Sequence, residues 1–370
     1  MDKLVARYKV LNGDSYEIGK NEGEAMSKFP KGLNAFTNGA KLFSKAEKKD
    51  MTNLFQTYCP GLNEEIEGFA DAVKIDKFNI LYYALTYLKP ACSQFALLPE
   101  MTSDGHILVA RSYEFSHETE EMLLLKTKVS NKYAHLGTGI LQFGRTEGIN
   151  EHGLAVSQTS AGFPVGNFGQ MRKPAITGLQ FWAVIRALLE NCKSVNEALD
   201  YVKDMPIAYN INLLLADKAG NAALFETLDG RKSFKFIDAN TERKYIYSTN
   251  HIHIDELSCI EPMAMHNSVH RYKSIEKFIT NKKLNRVQIQ EFLGKKYPEG
   301  LCCYYYDEFF GTIKSIVIDV TLGELDICWS GNTSKGWKTF KVSEDHSDME
   351  WQVDLISETA PENFFKMIKQ

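Results

Sequence analysis

The sequence predicts an α+β fold in which antiparallel sheets are covered by layers of helices. Three observations carry that expectation. Strand-like runs come in hairpins joined by turn signals, helix-like stretches are inserted between them in pairs, and the regular strand–helix alternation of a doubly wound fold is absent. With 370 residues, 44% of them hydrophobic, the chain can build one large domain or two ordinary ones. It has no Gly/Ser- or Pro-rich linker and no repeat period.

The first ninety residues read as mainly helical. Asp14, three positions before Glu17, has the pattern of a capping box, in which each side chain satisfies the other residue's backbone N–H. Leu62, Ile66, Phe69 and Val73 recur at helical spacing behind Pro60-Gly61 and make one apolar stripe. At Cys92 the texture changes. Cys92 to Leu98 is a short apolar run, Thr102-Ser103-Asp104-Gly105 is a turn signal, and His106 to Arg111 reads as the returning strand. Met122 to Val129 is a third strand, and two more flank Gly153-Leu154-Ala155-Val156. A helix carries Leu179, Trp182, Ile185 and Leu189, and a second opens on the capping box Ser194-Val195-Asn196-Glu197. Ile207 to Asp217 and Ala222 to Glu226 form another hairpin across Lys218-Ala219-Gly220-Asn221. The last strands are Thr312 to Val320 and Leu325 to Trp329.

Composition narrows the function classes. The net charge is −4 and the basic residues are scattered, so no nucleic-acid partner is expected. No apolar run is long enough to span a membrane, and Met1 to Asp14 lacks the apolar core of a secretory signal, so the expected location is cytoplasmic. The seven cysteines are odd in number and contain no CxxC pair, which reads as reduced thiols. His251 and His253 are the closest histidine pair and there is no HExxH motif, so neither a metal nor another cofactor is expected.

Chemistry concentrates around the first hairpin. A turn centred near Asp104-Gly105 brings Cys92, Arg111 and Glu114 to the same end of two antiparallel strands. A cation beside a thiol lowers its pKa and favours the nucleophilic thiolate. A cysteine opening a buried strand is otherwise a small core residue. Cys302-Cys303 before Tyr304-Tyr305-Tyr306 and Cys59 before Pro60 read as core.

The wider pattern adds to this. Ala91-Cys92-Ser93-Gln94-Phe95, then Ser103-Asp104-Gly105, then Ala110-Arg111-Ser112-Tyr113-Glu114-Phe115 resembles the nucleophile hairpin of the acyl-coenzyme A:6-aminopenicillanic acid acyltransferase family. It resembles more distantly that of the choloylglycine hydrolases and penicillin V acylases. Ser112 and Glu114 stand where the usual string has Asn and Asp. Further segments follow in the family's order: Asn12 to Gly19, Gly148 to Val156, Asn212 to Asp217, Ser248-Thr249-Asn250-His251, Ser268 to Tyr272, Gly311 to Ser315 and Trp329-Ser330-Gly331.

The resemblance implies a four-layer αββα sandwich of the N-terminal-nucleophile type and a dormant precursor. Cys92 would cut the Ala91–Cys92 bond, leaving residues 1–91 as an alpha chain and 92–370 as a catalytic beta chain, partners in one globular unit. Ala91 replaces the glycine common before this cysteine in the acyltransferases. The liberated α-amine, with a pKa of about 8, would serve as the thiol's base. An acyl group would pass from a linear amide to sulfur as a thioester, then to water or another acceptor. Arg111, Glu114 and Arg271 carry over as catalytic or supporting residues. Asn212 carries over as the first oxyanion candidate and Asn210 as its reserve, with Ser160 where a second Asn would stand. Asn250 and His251 shape the pocket wall. The implied partner is a small-molecule amide or acyl donor, and homo-oligomers are left open. Two other readings compete: a catalytically silent binding protein of the same fold, and an unprocessed cysteine hydrolase using a separate base such as His152.

Overall fold

The helices begin where side-chain caps can satisfy their first N–H groups. Asp14 and Glu17 form the reciprocal box that opens the helix Ser15–Met26. Ser194 caps the helix Val195–Lys203 through Glu197 N–H, but the Glu197 carboxylate reaches one residue further back, to Lys193 N–H at 2.8 Å, so that box is only half closed. The stripe read at Leu62, Ile66 and Phe69 is buried on the helix Leu62–Val73. This helix packs against Ser15–Met26 so closely that a Cβ on Gly19 would fall 1.8 Å from the Glu65 carbonyl oxygen, which leaves glycine as the residue that fits. The computed structural model describes residues 3–29, 33, 34, 44–80, 91–162, 172–280, 282–333 and 336–370.

The strands, in chain order, are β1 (Lys3–Gly13), β2 (Ala91–Leu97), β3 (Leu108–Phe115), β4 (Leu123–Val129), β5 (His135–Ile140), β6 (Gly144–Asn150), β7 (Ala155–Ser160), β8 (Ile211–Ala216), β9 (Ala222–Leu228), β10 (Arg231–Ile237), β11 (Tyr245–Ser248), β12 (Met263–Met265), β13 (Tyr304–Tyr305), β14 (Phe310–Asp319), β15 (Glu324–Trp329), β16 (Lys338–Lys341), β17 (Met349–Asp354) and β18 (Met367–Lys369). One sheet runs β10-β9-β8-β7-β6-β5-β4-β1-β17 and the other β11-β2-β3-β14-β15-β16, with β13 beside β14. The two sheets stack face to face, β2 lying over β7 and β8. The helix Phe181–Asn191 covers the first sheet at β6 and β7, and the helices His266–Ile279 and Arg286–Gly294 cover the second at β2, β3 and β14. The result is the expected four-layer αββα sandwich. No helix among the described residues is long and apolar enough to cross a membrane.

Two features depart from the sequence reading. Residues 3–13 are not part of a helical segment but form β1, an interior strand between β4 and β17. β1 also runs parallel to β4, so the first sheet is not wholly antiparallel. A parallel neighbour needs a long crossover, and the helices together with β2 and β3 of the other sheet, all between β1 and β4, supply it. The N-terminal segment is therefore built into the core. Ala6, Tyr8, Phe55, Ile66 and Phe69 belong to the main apolar cluster, and Arg186 forms a two-pronged buried ion pair with Glu65.

Candidate active site

Cys92 is the second residue of β2, between β11 and β3. The register pairs Ala91 with Glu114, Cys92 with Tyr113 and Gln94 with Arg111. The hairpin is thus centred slightly before Asp104-Gly105, because the short helical turn Pro99–Met101 takes up part of the connection. Alternation along β2 then sorts the side chains. Gln94 points to the other sheet, bonding Asn212 O at 2.8 Å and Ser157 Oγ at 2.7 Å, and Cys92 shares that face. Ser93 points to the helix layer and accepts a hydrogen bond from Arg271.

Each polar atom of Cys92 is held by a residue singled out from the sequence. Its N–H donates to Asn250 Oδ1 at 2.8 Å, its carbonyl accepts from Arg271 Nη1 at 2.7 Å, and its sulfur accepts from Arg111 Nη2 at 3.2 Å. The residue is fully buried. Burial pushes the thiol pKa up, Arg111 pulls it back, the Glu114 charge adds to the rise and Arg271 opposes it. Cys59, Cys192 and Cys302 differ: burial drives each of their thiols to about 12, as in inert core residues.

Arg271 joins both sides of the site. Fully buried on the helix His266–Ile279, it donates to Cys92 O, Ser93 Oγ, Asn250 Oδ1 and Asn267 Oδ1, each at 2.7–2.8 Å. Glu114 Oε2 lies 3.9 Å from it. Asn250 in turn donates to the Ser160 carbonyl at 3.2 Å and to Ser160 Oγ at 3.1 Å, which brings Ser160 into the cluster.

Glu114 accepts from Ser112 Oγ, and from Thr312 Oγ1 at 3.2 Å. Ser112, which stands where an Asn was expected, thus serves as its hydrogen-bond donor. Burial raises the Glu114 carboxyl to about 7, with Arg271 and the two hydroxyls pulling it down. The unfolded chain titrates near 4.5. Between those values only the folded state holds the proton. The contribution of Glu114 to stability therefore falls as pH rises from 4.5 and is lost above about 7. Glu114→Gln is expected to exceed the wild type by up to about 3 kcal/mol near pH 8 and to equal it near pH 4. Urea denaturation at both pH values measures this, and an equal effect at both would contradict it.

The remaining expectations divide. Asn212 was expected first as an oxyanion donor, but its amide is committed to Thr159 Oγ1, Thr249 O and His251 O at 2.7–3.0 Å. It pins the 249–251 turn that presents Asn250, and Asn250 is the asparagine that touches Cys92. Asn210 Oδ1 accepts from Asp229 N–H at 2.8 Å and secures the β9–β10 turn. His251 is buried behind Asn250, its Nδ1 2.8 Å from Ser268 Oγ, and burial holds its pKa well below the ordinary value. His152 is exposed in the β6–β7 turn against Tyr133, while Cys92 is wholly covered, so an unprocessed Cys92–His152 pair has no geometric support. Among the described residues no group of three His, Cys, Asp or Glu could hold a metal ion.

Sequence reasoning did not single out Tyr209, whose hydroxyl lies beside Ser160 within electrostatic reach of Cys92. It also passed over Glu147, paired with Arg111, and Lys314, buried on β14. A lysine in the middle of a wholly buried strand rich in Ile and Val was the available signal for Lys314.

The penicillin V acylase of Agrobacterium tumefaciens is similar in structure, at 16% identity and a TM-score of 0.44, the match covering 75% of this chain and all of that one. A mutant of the conjugated bile acid hydrolase of Clostridium perfringens matches at 12% identity and a TM-score of 0.45, covering 74% of this chain and all of that one. No curated protein matches the sequence. Residues 101–334, well over half of the chain, match the family of the acyl-coenzyme A:6-aminopenicillanic acid acyl-transferases. The chain therefore belongs to that acyl-transferase family.

Proposed function

We propose that Cys92 cuts the Ala91–Cys92 bond and then, as the new N-terminus, transfers an acyl group from a linear amide through a thioester. The observation that carries this reading is the set of three contacts on Cys92: Asn250 on its nitrogen, Arg271 on its carbonyl and Arg111 on its sulfur. In the first step the sulfur bonds to the Ala91 carbonyl carbon. The C–N bond to Cys92 breaks and its nitrogen gains a proton. Water then splits the thioester, leaving a carboxylate on Ala91 and a free thiol on Cys92.

The amide nitrogen of an intact chain is not basic, whereas the liberated amine has a pKa of about 8 and sits next to its own sulfur. Asn250 Oδ1, already on that nitrogen, can hold one of its N–H groups and aim its lone pair at the thiol. Arg111 stabilises the thiolate. With a substrate amide, the acyl carbon bonds to sulfur, the leaving amine takes the proton, and water or a second nucleophile releases the product. The substrate is a small-molecule amide, and hydrolysis or transfer follows from which acceptor reaches the thioester.

The severed segment would stay in place, since β1 lies between β4 and β17 and Glu65 is paired with Arg186. After incubation at neutral pH, the wild type is expected to give two masses under denaturing conditions, for residues 1–91 and 92–370, that together exceed the precursor by one water. The same sample should run natively as one particle. A chain that keeps its full-length mass would defeat the reading.

A further inference from the structure

The sheet that carries Cys92 also carries a buried cation to which the scheme above gives no role. The registers place Cys92, Tyr113, Lys314 and Trp329 in one row across β2, β3, β14 and β15. Neighbouring strands lie about 4.8 Å apart, so Lys314 is two strands from the nucleophile. Lys314 is fully buried, its ammonium 4.3 Å from the centre of the Tyr113 ring and 5.8 Å from that of Trp329. The Arg111 guanidinium is 4.8 Å from the same tyrosine ring.

Two carboxylates face these two cations. Lys314 Nζ is 3.4 Å from Glu120 and 3.9 Å from Glu147, and Glu147 is also paired with Arg111. Thr138 and Thr146 donate to the Glu147 oxygen on the Lys314 side, so its carboxylate is fixed. Arg111 therefore serves three acceptors, the Cys92 sulfur through Nη2 and, through Nη1, Glu147 and the Thr146 carbonyl at 2.9 Å. In a buried site a carboxylate served by Arg111 alone would cancel much of the field that favours the thiolate and draw the guanidinium away from sulfur.

We propose that Lys314 is a positioning residue: by sharing Glu147 and engaging Glu120 it keeps Arg111 on the Cys92 sulfur and so sets the pH at which that thiol becomes a nucleophile. This rests on the reading of Cys92 as the nucleophile. The groups that face the pair are Arg111 and Tyr113 from β3, Glu120 from the segment after it, Glu147 from β6, Cys92 from β2 and Trp329 from β15. Glu114 and Arg271 also act on the thiol. Burial brings the Lys314 ammonium down to about 8, with Glu120 and the Cys92 thiol opposing and Arg111 reinforcing the fall. Lys314 thus stays charged at neutral pH and withdraws its support above about 8.

The test is the pH dependence of Cys92 alkylation by iodoacetamide, read on the Cys92 peptide by mass spectrometry. In Lys314→Met the midpoint is expected to rise by about one pH unit, with labelling at neutral pH about tenfold slower. Lys314→Arg, which keeps the charge, should restore most of the rate. Glu147→Gln, which frees Arg111, should move the midpoint down, and the Lys314→Met/Glu147→Gln pair should return it toward the wild type. An unmoved midpoint in Lys314→Met, in protein with unchanged near-ultraviolet circular dichroism, overturns the proposal. So does a Cys92 that resists the reagent at every pH, or, where Lys314→Met does not fold, a midpoint that fails to drop in Glu147→Gln. The peptides of cut and uncut chains differ in mass, so a lack of processing counts against the reading of the site, while the midpoint in either form decides on Lys314.

Discussion

Cys92→Ala is expected to purify as a single uncut chain and to lose turnover of any amide that the wild type consumes, by about a millionfold, which is below detection. In the proposed scheme the sulfur supplies the electron pair both for cutting the precursor and for taking the acyl group, so one deletion removes both. The fold should persist. Cys92 is a small side chain within a close-packed layer, and losing its sulfur opens a cavity worth about 1 kcal/mol. Cys92→Ser separates the two roles of the thiol. The oxygen keeps the geometry, but a hydroxyl beside Arg111 stays protonated where a thiol can ionise. Slow processing with greatly reduced turnover is the expected result. Intact mass and an acyl-amide screen on the same preparations measure both properties. A cleaved or active Cys92→Ala protein would show that another group attacks.

Arg271→Ala should have the second largest effect, on stability as well as on processing. The guanidinium has no solvent exposure and donates to four acceptors on β2, on the turn carrying Asn250 and on its own helix. Truncation strands those acceptors and leaves Glu114 without its nearest cation. Removing one partner of such a buried set costs about 3–5 kcal/mol. Processing should slow by about 10²–10³-fold, because Asn250 and the Cys92 carbonyl lose the group that aligns them. Arg271→Lys should recover little, since a single ammonium cannot match the planar fork. Urea denaturation and the half-time of chain cleavage report the two effects separately. An alanine variant within about 0.5 kcal/mol of the wild type in stability, and cleaving at an equal rate, would remove Arg271 from the site.

Much of this arrangement could be read along the chain, because local rules govern it. A period of two decides which face of β2 each residue takes, so Cys92 and Gln94 share one side and Ser93 the other. The turn signal near Thr102 to Gly105 requires β3 to return beside β2, which puts Arg111 and Glu114 near Cys92. Caps at Asp14 and Ser194 set where helices begin. These interactions span few residues, so composition and spacing contain them.

The choice among distant partners could not be read in this way. Asn210, Asn212 and Asn250 were all candidates by the family resemblance. Only the stacking of β8 and the 249–251 turn under β2 makes Asn250 the contact and Asn212 its support. β1 does not look like a core strand in isolation, since its burial comes from β4 and β17, which lie more than a hundred residues further on. Lys314 stands out in β14, but its approach to Glu147 exists only when β14 and β6 face each other. Sheet order and sheet stacking are long-range closures, with energies spread over the whole apolar core, and no short window of sequence holds them.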